Sequence, residues 1–390
     1  MHEEWYEIVT WGLAAHLALI LGALVTLILL SSMLRQQRSP AASAAWLVFM
    51  LAVPYLGVPL YLLIGTRKLK SLAAQKQRLL SSPSPVSAGE TCLQNLLSRL
   101  GAPAPREARS FTLHRDADQA RRSLASLLEK ARETLDIEIF ILGDDDIGRE
   151  LIDRLIGCVA RGVRVRLVLD GVGSFLLPKR RLRPLVSVGA QVAWFVPVLH
   201  IPLRGRSNLR NHRKLIVADG DWVWSGGRNL AVDYLGPEDQ TRWRDLSFDL
   251  TGPAARDFQA VFNADWGFAA VSAIEPVELP DRVEAGQQVA HLAQVIPSGP
   301  DTVEDVLEQV IAQLIAEARE RIALVTPYFV PSETLQTLLC IAARRGTQLD
   351  ILMPARSNHH MADYVRNRFL RRLQAAGASI HLLGNEMLHA

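Results

Sequence analysis

Residues 156–171 read IGCVARGVRVRLVLDG, and residues 338–355 read LLCIAARRGTQLDILMPA. Each stretch carries apolar residues at helical spacing, closes on a glycine (Gly162, Gly346), and passes into strand-like alternation. Upstream, EKARETLDIEIFIL at 129–142 is echoed by AEARERIALVTPYFV at 316–330. In the first half the pattern predicts a helix over 121–132, a strand over 135–142, a helix over 147–162 and a strand over 163–170. The same order of helix, closing glycine and strand returns in the second half. A whole α/β domain is therefore duplicated, rather than a short solenoid repeat.

The 390 residues leave room for about two domains beside any N-terminal segment. Lys plus Arg total 43 against 40 for Asp plus Glu, and a formal net charge of +3 does not suggest a nucleic-acid coat. Cys92, Cys158 and Cys340 lie far apart and make neither a metal knuckle nor a disulfide framework.

Residues 9–31 and 44–65 are the two long apolar runs. Each is long enough on paper for a bilayer of about 30 Å, and Pro54, Gly57 and Pro59 are tolerable in a membrane helix. A secretory leader would begin basic, whereas Glu3, Glu4 and Glu7 precede the first run. The expectation is a transmembrane hairpin. Arg67, Lys68, Lys70, Lys76 and Arg78 follow it, which puts residues 66 onward in the cytoplasm by the positive-inside rule.

The chemistry-bearing text is NHRKLIVADG at 211–220, followed by DWVWSGGRNL at 221–230. Alternation sets His212 and Lys214 on one strand face. An imidazole can attack phosphorus or protonate a leaving oxygen, and a neighbouring lysine can neutralise a non-bridging phosphoryl oxygen. Asp219 is of a type that can orient a histidine. Gly226 and Gly227 permit close backbone approach, and Asn229 can donate to phosphate or hold a histidine. Glu138 falls in a predicted strand on the same face as Asp136, which leaves a site role open beside that of a strand-end carboxylate. The segment offers too few ligands for a metal site.

The full string NxHRKLxVxDGxxxxxGGxN resembles the phospholipase D superfamily, and in particular bacterial cardiolipin synthases. The resemblance extends to IEIFILGDDDIG, RGVRVRLVLDGVGS, GGRNLAVDYLG, SGPD, TPYFVP, MPARSNHH and the terminal MLHA. It implies duplicated phospholipase D-like domains with mixed sheets, the second copy incomplete, behind an N-terminal transmembrane helical hairpin. The expected division is 1–70 membrane helices, 71–110 linker and short helix, 111–270 first domain, 271–295 linker and 296–390 second domain. His212, Lys214 and Asp219 would form the first motif, and His389 would be the histidine of the second. Asn229, Gly226, Gly227 and Glu138 would lie around the phosphate. One histidine would carry a phosphatidyl group while the other serves as acid and then base. We expect His212 to attack, with no metal and no cofactor.

The implied reaction condenses two phosphatidylglycerols into cardiolipin and glycerol at a bacterial inner membrane. Anionic phospholipids are the partners and nucleic acid is not. Hydrolysis of phospholipids is the nearest alternative, and an inactive membrane scaffold another. Because the text halts at His389-Ala390, the lysine and aspartate of the second motif have no counterpart, and weak or no cardiolipin synthesis is expected. The run DDD at 144–146 reads as a solvated turn, His359–His360 as loop surface near substrate entry, and PKRRLRP at 178–184 as a basic patch able to attract anionic headgroups.

Overall fold

The computed structural model describes residues 10–13, 16–17, 20, 22, 24–25, 27–28, 31, 40–65, 76, 79–80, 91–196, 210–237, 242–270, 291–299, 305–384 and 386–390. The chain divides into two compact units, one comprising Met1–Leu69 with Leu199–Leu209 and the other Lys70–Val198 with Arg210–Ala390. Most of the expected linker over 271–295 lies outside the described residues.

In the first unit, α1 (Pro40–Ala52, 13 residues) and α2 (Pro54–Ile64, 11 residues) meet at Val53. Proline has no N–H to continue a helix and starts one readily, so Pro54 ends α1 and begins α2. The two helices fold back on each other. Met50 and Tyr61 are buried between them, the Trp46 and Tyr61 rings meet edge-on at 5.4 Å, and a Cβ on Gly57 would come within 2.7 Å of the Met50 backbone.

The expected transmembrane hairpin is thereby corrected. No helix among the described residues is long and apolar enough to cross a membrane. At 1.5 Å per residue, α1 rises only about 20 Å against the roughly 30 Å of a hydrocarbon core. The apolar run over 44–65 is broken at its centre, and of the run over 9–31 only scattered positions are described. A multi-pass inner-membrane protein, built on that hairpin, is not what these helices form.

The second unit begins with α3 (Cys92–Arg99), closed at its start by a reciprocal capping box between Thr91 and Gln94. β1 (Arg106–Ala108) is followed by β2 (Ser110–His114), α4 (Ala117–Lys130), β3 (Thr134–Ile139), α5 (Asp146–Ala160) and β4 (Arg164–Asp170). Then come β5 (Gln191–Phe195), β6 (Leu215–Ala218), β7 (Trp222–Gly226), β8 (Ser247–Thr251) and α6 (Ala255–Ala270). The main sheet has the order β2-β8-β7-β6-β3-β4-β5, parallel across β3-β4-β5 and antiparallel elsewhere. After β9 (His291–Ala293), which pairs with β1, the α/β order returns as α7 (Val306–Glu317), β10 (Arg321–Val325), α8 (Glu333–Arg344), β11 (Gln348–Pro354), α9 (His360–Ala375) and β12 (Ser379–Leu383). β10-β11-β12 are parallel and repeat the arrangement of β3-β4-β5. The duplication read from Gly162 and Gly346 is present in the fold, and both glycines take positive φ past a helix end.

Period-two alternation explains why β3 is buried on both sides. Leu135, Ile137 and Ile139 join the apolar core that contains Leu124 and Leu127 of α4 and Leu151 and Leu155 of α5. Asp136 and Glu138 point to the other face, toward residues of α6. Arg166 holds Asp136 through two hydrogen bonds of 2.7 Å, and Gln259 donates a third to the same carboxylate at 2.7 Å. The guanidinium also donates to Asn263 at 2.9 Å and lies over the Phe262 and Trp266 rings at 4.9 and 5.5 Å. Removing one partner would leave a buried, unpaired carboxylate. We expect Arg166→Met to lower unfolding stability by about 3–5 kcal/mol, read as a lower urea midpoint at unchanged slope; an unchanged midpoint would show that the pair contributes nothing.

Candidate active site

The antiparallel register of β6 on β3, with Leu215 opposite Glu138, runs the residues before Leu215 alongside those after Glu138. His212 and Lys214 consequently reach Phe140. The His212 ring stacks on the phenyl ring at 3.8 Å and 23°. Lys214 Nζ stands 5.4 Å from the same ring centroid and donates to the His212 carbonyl at 2.8 Å. His212 keeps access to solvent, so the side withdrawn from water is the one packed on Phe140. Burial, then the Lys214 charge, then His389 push its pKa down to about 4. Burial likewise lowers Lys214 to about 8, against the pull of Asp245 and Asp170, so it remains mainly cationic at pH 7.

His389 arrives from the second repeat. Residues 386–390 lie along 242–245: the Arg244 N–H donates to the Met387 carbonyl at 2.8 Å, and the His389 N–H donates to the Arg244 carbonyl at 2.7 Å. An Arg244–Glu386 ion pair flanks this ladder. The next residue, Asp245, is buried and places Oδ2 2.8 Å from His389 Nδ1. The imidazole is enclosed by Tyr234, edge-on at 5.2 Å, and Trp243 at 5.5 Å. A carboxylate on Nδ1 fixes the ring's orientation and leaves Nε2 for chemistry.

The remaining expected residues have identifiable places. Asp219, at φ +52°, accepts the backbone N–H groups of Arg132, Glu133 and Thr134 at 3.0, 2.7 and 2.9 Å. It therefore closes the turn before β3 from the far end of β6, and among the described residues no contact joins it to either imidazole. Asn229 accepts from the Ile141 N–H at 3.0 Å and bonds the buried Tyr234 hydroxyl, which ties β3's end to the aromatic wall of His389. Gly227 leaves space for the Asp245 carboxylate, and Gly226, at φ +139°, for the backbone of Leu246 and Ser247.

Glu138 sits beneath the site. It accepts from the Asn211 amide, and burial followed by the Asp265 carboxylate raises its pKa well above the usual carboxyl range. Asp265 is itself paired with Lys76, and with Arg213 at 2.6 Å. Glu138 reaches the histidines only through the chain neighbour of His212. The DDD run is distributed among local partners: Asp145 caps α5 and accepts from the Val232 N–H, Asp144 pairs with Arg181, and Asp146 with Arg149. His359 packs against Tyr328 at 4.8 Å.

Phe140, Tyr234, Trp243 and Asp245 were not singled out from sequence. Asp245 stands 144 positions from its partner in the unremarkable text RWRDLSF, where no local spacing marks it. An aromatic residue just past the end of β3 is the local hint for Phe140.

The arrangement can pair a neutral nucleophile with a carboxylate-oriented acid beside a fixed cation. It makes a titration prediction. The folded His212 value near 4 lies below the ordinary 6.5, so the stability it contributes is complete above about 6.5 and is lost as pH falls toward 4. NMR titration of the His212 ring protons should give a midpoint near 4, and Phe140→Leu or Lys214→Met should raise it. A wild-type midpoint at 6.5 would contradict this environment.

Comparison with known proteins places the chain in a family. The family described as cardiolipin synthase, PLD-like domain, matches residues 124–266 and 311–390, and a phospholipase D-nuclease N-terminal family matches residues 18–65. Cardiolipin synthase of Geobacillus thermodenitrificans (strain NG80-2) is 30% identical over 374 residues, covering 91% of this chain and 74% of that protein. Cardiolipin synthase 1 of Bacillus anthracis is 28% identical over 379 residues, with the same coverage of 91% and 74%. The crystal structure of phosphatidylserine synthase from Haemophilus influenzae Rd KW20 shares the fold, with a TM-score of 0.50 at 15% identity over 73% of this chain and 76% of that one. Membership in this family supports phosphoryl-group transfer or hydrolysis of the phospholipase D type. The chain belongs to the cardiolipin synthase family of the phospholipase D superfamily.

Proposed function

We propose that the site moves a phosphatidyl group from one phosphatidylglycerol to the terminal hydroxyl of a second, forming cardiolipin and glycerol. The supporting observation is the division of labour between two imidazoles. His212 is held neutral against Phe140 and Lys214, while His389 is tied through Nδ1 to the buried Asp245. A neutral imidazole can attack phosphorus, and one oriented by a carboxylate on Nδ1 keeps Nε2 for proton transfer.

In the first half-reaction a His212 nitrogen attacks phosphorus, the N–P bond forms and the P–O bond to the headgroup glycerol breaks. His389 Nε2 gives its proton to the departing oxygen. In the second, the terminal hydroxyl of the second lipid attacks phosphorus, its proton passes to His389, and the N–P bond breaks to release neutral His212. Lys214 offsets the charge that gathers on the non-bridging oxygens. One phosphodiester replaces another, so the exchange needs no energy source. Asp245 acts through His389 and is a positioning residue.

Product analysis with headgroup-labelled phosphatidylglycerol tests this reading. Cardiolipin with labelled glycerol is expected. Phosphatidic acid with glycerol would assign hydrolysis instead, and no release of glycerol would leave the scaffold reading. His389→Ala should slow turnover by about 10²–10⁴-fold, as loss of an acid–base group does, while acyl-chain-labelled phosphatidylglycerol still labels His212, more slowly, as the phosphatidyl adduct. Absence of any adduct in both proteins would overturn the covalent route.

A further inference from the structure

We infer that the turn after β4 is a docking edge for the surface of an anionic lipid bilayer, which it meets without crossing. Val172, Phe175 and Leu176 are 40%, 64% and 85% exposed, whereas Leu177, Leu182 and Leu185 immediately beyond them are buried in the core. Slack does not account for the exposure. Asp170 accepts from the N–H groups of Val172 and Gly173 at 2.8 and 2.9 Å, and Ser174 Oγ donates to the Phe140 carbonyl at 3.0 Å and accepts from the Leu142 N–H at 3.1 Å. A Cβ on Gly173 would overlap Phe140. The loop is thus bolted to the residue that stacks on His212, yet it presents its largest apolar side chains to water.

Charge selects the occupant. Residues 171–196 contain four basic residues, Lys179, Arg180, Arg181 and Arg183, and no acidic one. Asp144 answers Arg181 at 2.6 Å, while among the described residues no carboxylate answers Arg180 or Arg183, both exposed. Apolar tips beside unanswered cations match a surface with negative headgroups above a hydrocarbon layer. A nucleic-acid backbone would offer nothing to Phe175 and Leu176. The second repeat has a related feature: Met361 and Tyr364, three residues apart at the start of α9, are 77% and 81% exposed past the carboxyl end of β11. Such an edge would bring His212 to the headgroup level, a purpose that rests on the lipid reading of the site.

The direct test places an environment-sensitive dye on the full chain through Val172→Cys in a Cys92→Ser background, and mixes it with vesicles of phosphatidylcholine alone or with about a third phosphatidylglycerol. Blue-shifted emission is expected on the anionic vesicles only, and it should vanish when Phe175→Ser and Leu176→Ser are added. Arg180→Glu with Arg183→Glu should weaken the dye response by roughly tenfold or more and remove its salt dependence. Vesicle binding through other parts of the chain with an unshifted dye would overturn the inference, as would an equal shift on both vesicle types. No turnover is required, so this result is independent of whether the proposed transferase reaction holds. If it does hold, the four substitutions should slow turnover of vesicle-borne lipid while sparing a short-chain substrate below its micelle concentration.

Discussion

The contact between His389 and Asp245 is the constraint around which the candidate site is organised. It joins a side chain of the second α/β repeat to one of the first, 144 positions apart, at 2.8 Å. Two backbone hydrogen bonds between 386–390 and Arg244 deliver the imidazole to that carboxylate. Gly227 leaves the carboxylate its space, and Tyr234 and Trp243 wall off the ring. An imidazole supported in this way retains one nitrogen for proton transfer and has little freedom to turn away. The pairing also explains why neither half by itself contains both histidines.

The main sheet supplies the other half of the site by dividing its faces. One face carries the leucines and isoleucines that pack under α4 and α5. The other carries Asp136, Glu138, Arg166 and Asp170, all buried and hydrogen-bonded. Buried charge is costly unless it is answered: Arg166 and Gln259 answer Asp136, backbone N–H groups answer Asp170, and Glu138, its pKa raised by burial, accepts from Asn211. The result is a stiff platform beneath the segment 211–214. Phe140 emerges from that platform and sets the environment of both His212 and Lys214.

Much of the fold could be read from local text. Strands expected over 135–142 and 163–170 are observed as Thr134–Ile139 and Arg164–Asp170, and the helix expected over 147–162 as Asp146–Ala160. Gly162 and Gly346 announced the duplication because a left-handed residue after a helix is a strong and local signal. The apolar run over 44–65 misled for the opposite reason. Hydropathy sums over a window and does not register that Pro54 interrupts the run, which falls on two helices, Pro40–Ala52 and Pro54–Ile64. At the site, His212 and Lys214 stood out through their spacing. Asp245 and Phe140 did not, since their meaning lies in partners supplied by strand register and by the second repeat. The turn-closing place of Asp219 was equally hidden, because the three N–H groups it accepts belong to residues 132–134.

In the proposed reaction Asp245 and His389 act as one element across the two repeats. A double-mutant cycle on the rate of phosphatidyl transfer, using Asp245→Asn, His389→Gln and the pair together, measures this most directly. Strong coupling is expected: once His389 is replaced, the added Asp245→Asn change costs almost nothing further. Independent, multiplicative losses would contradict it and would mean that the observed contact between the repeats has no part in the reaction.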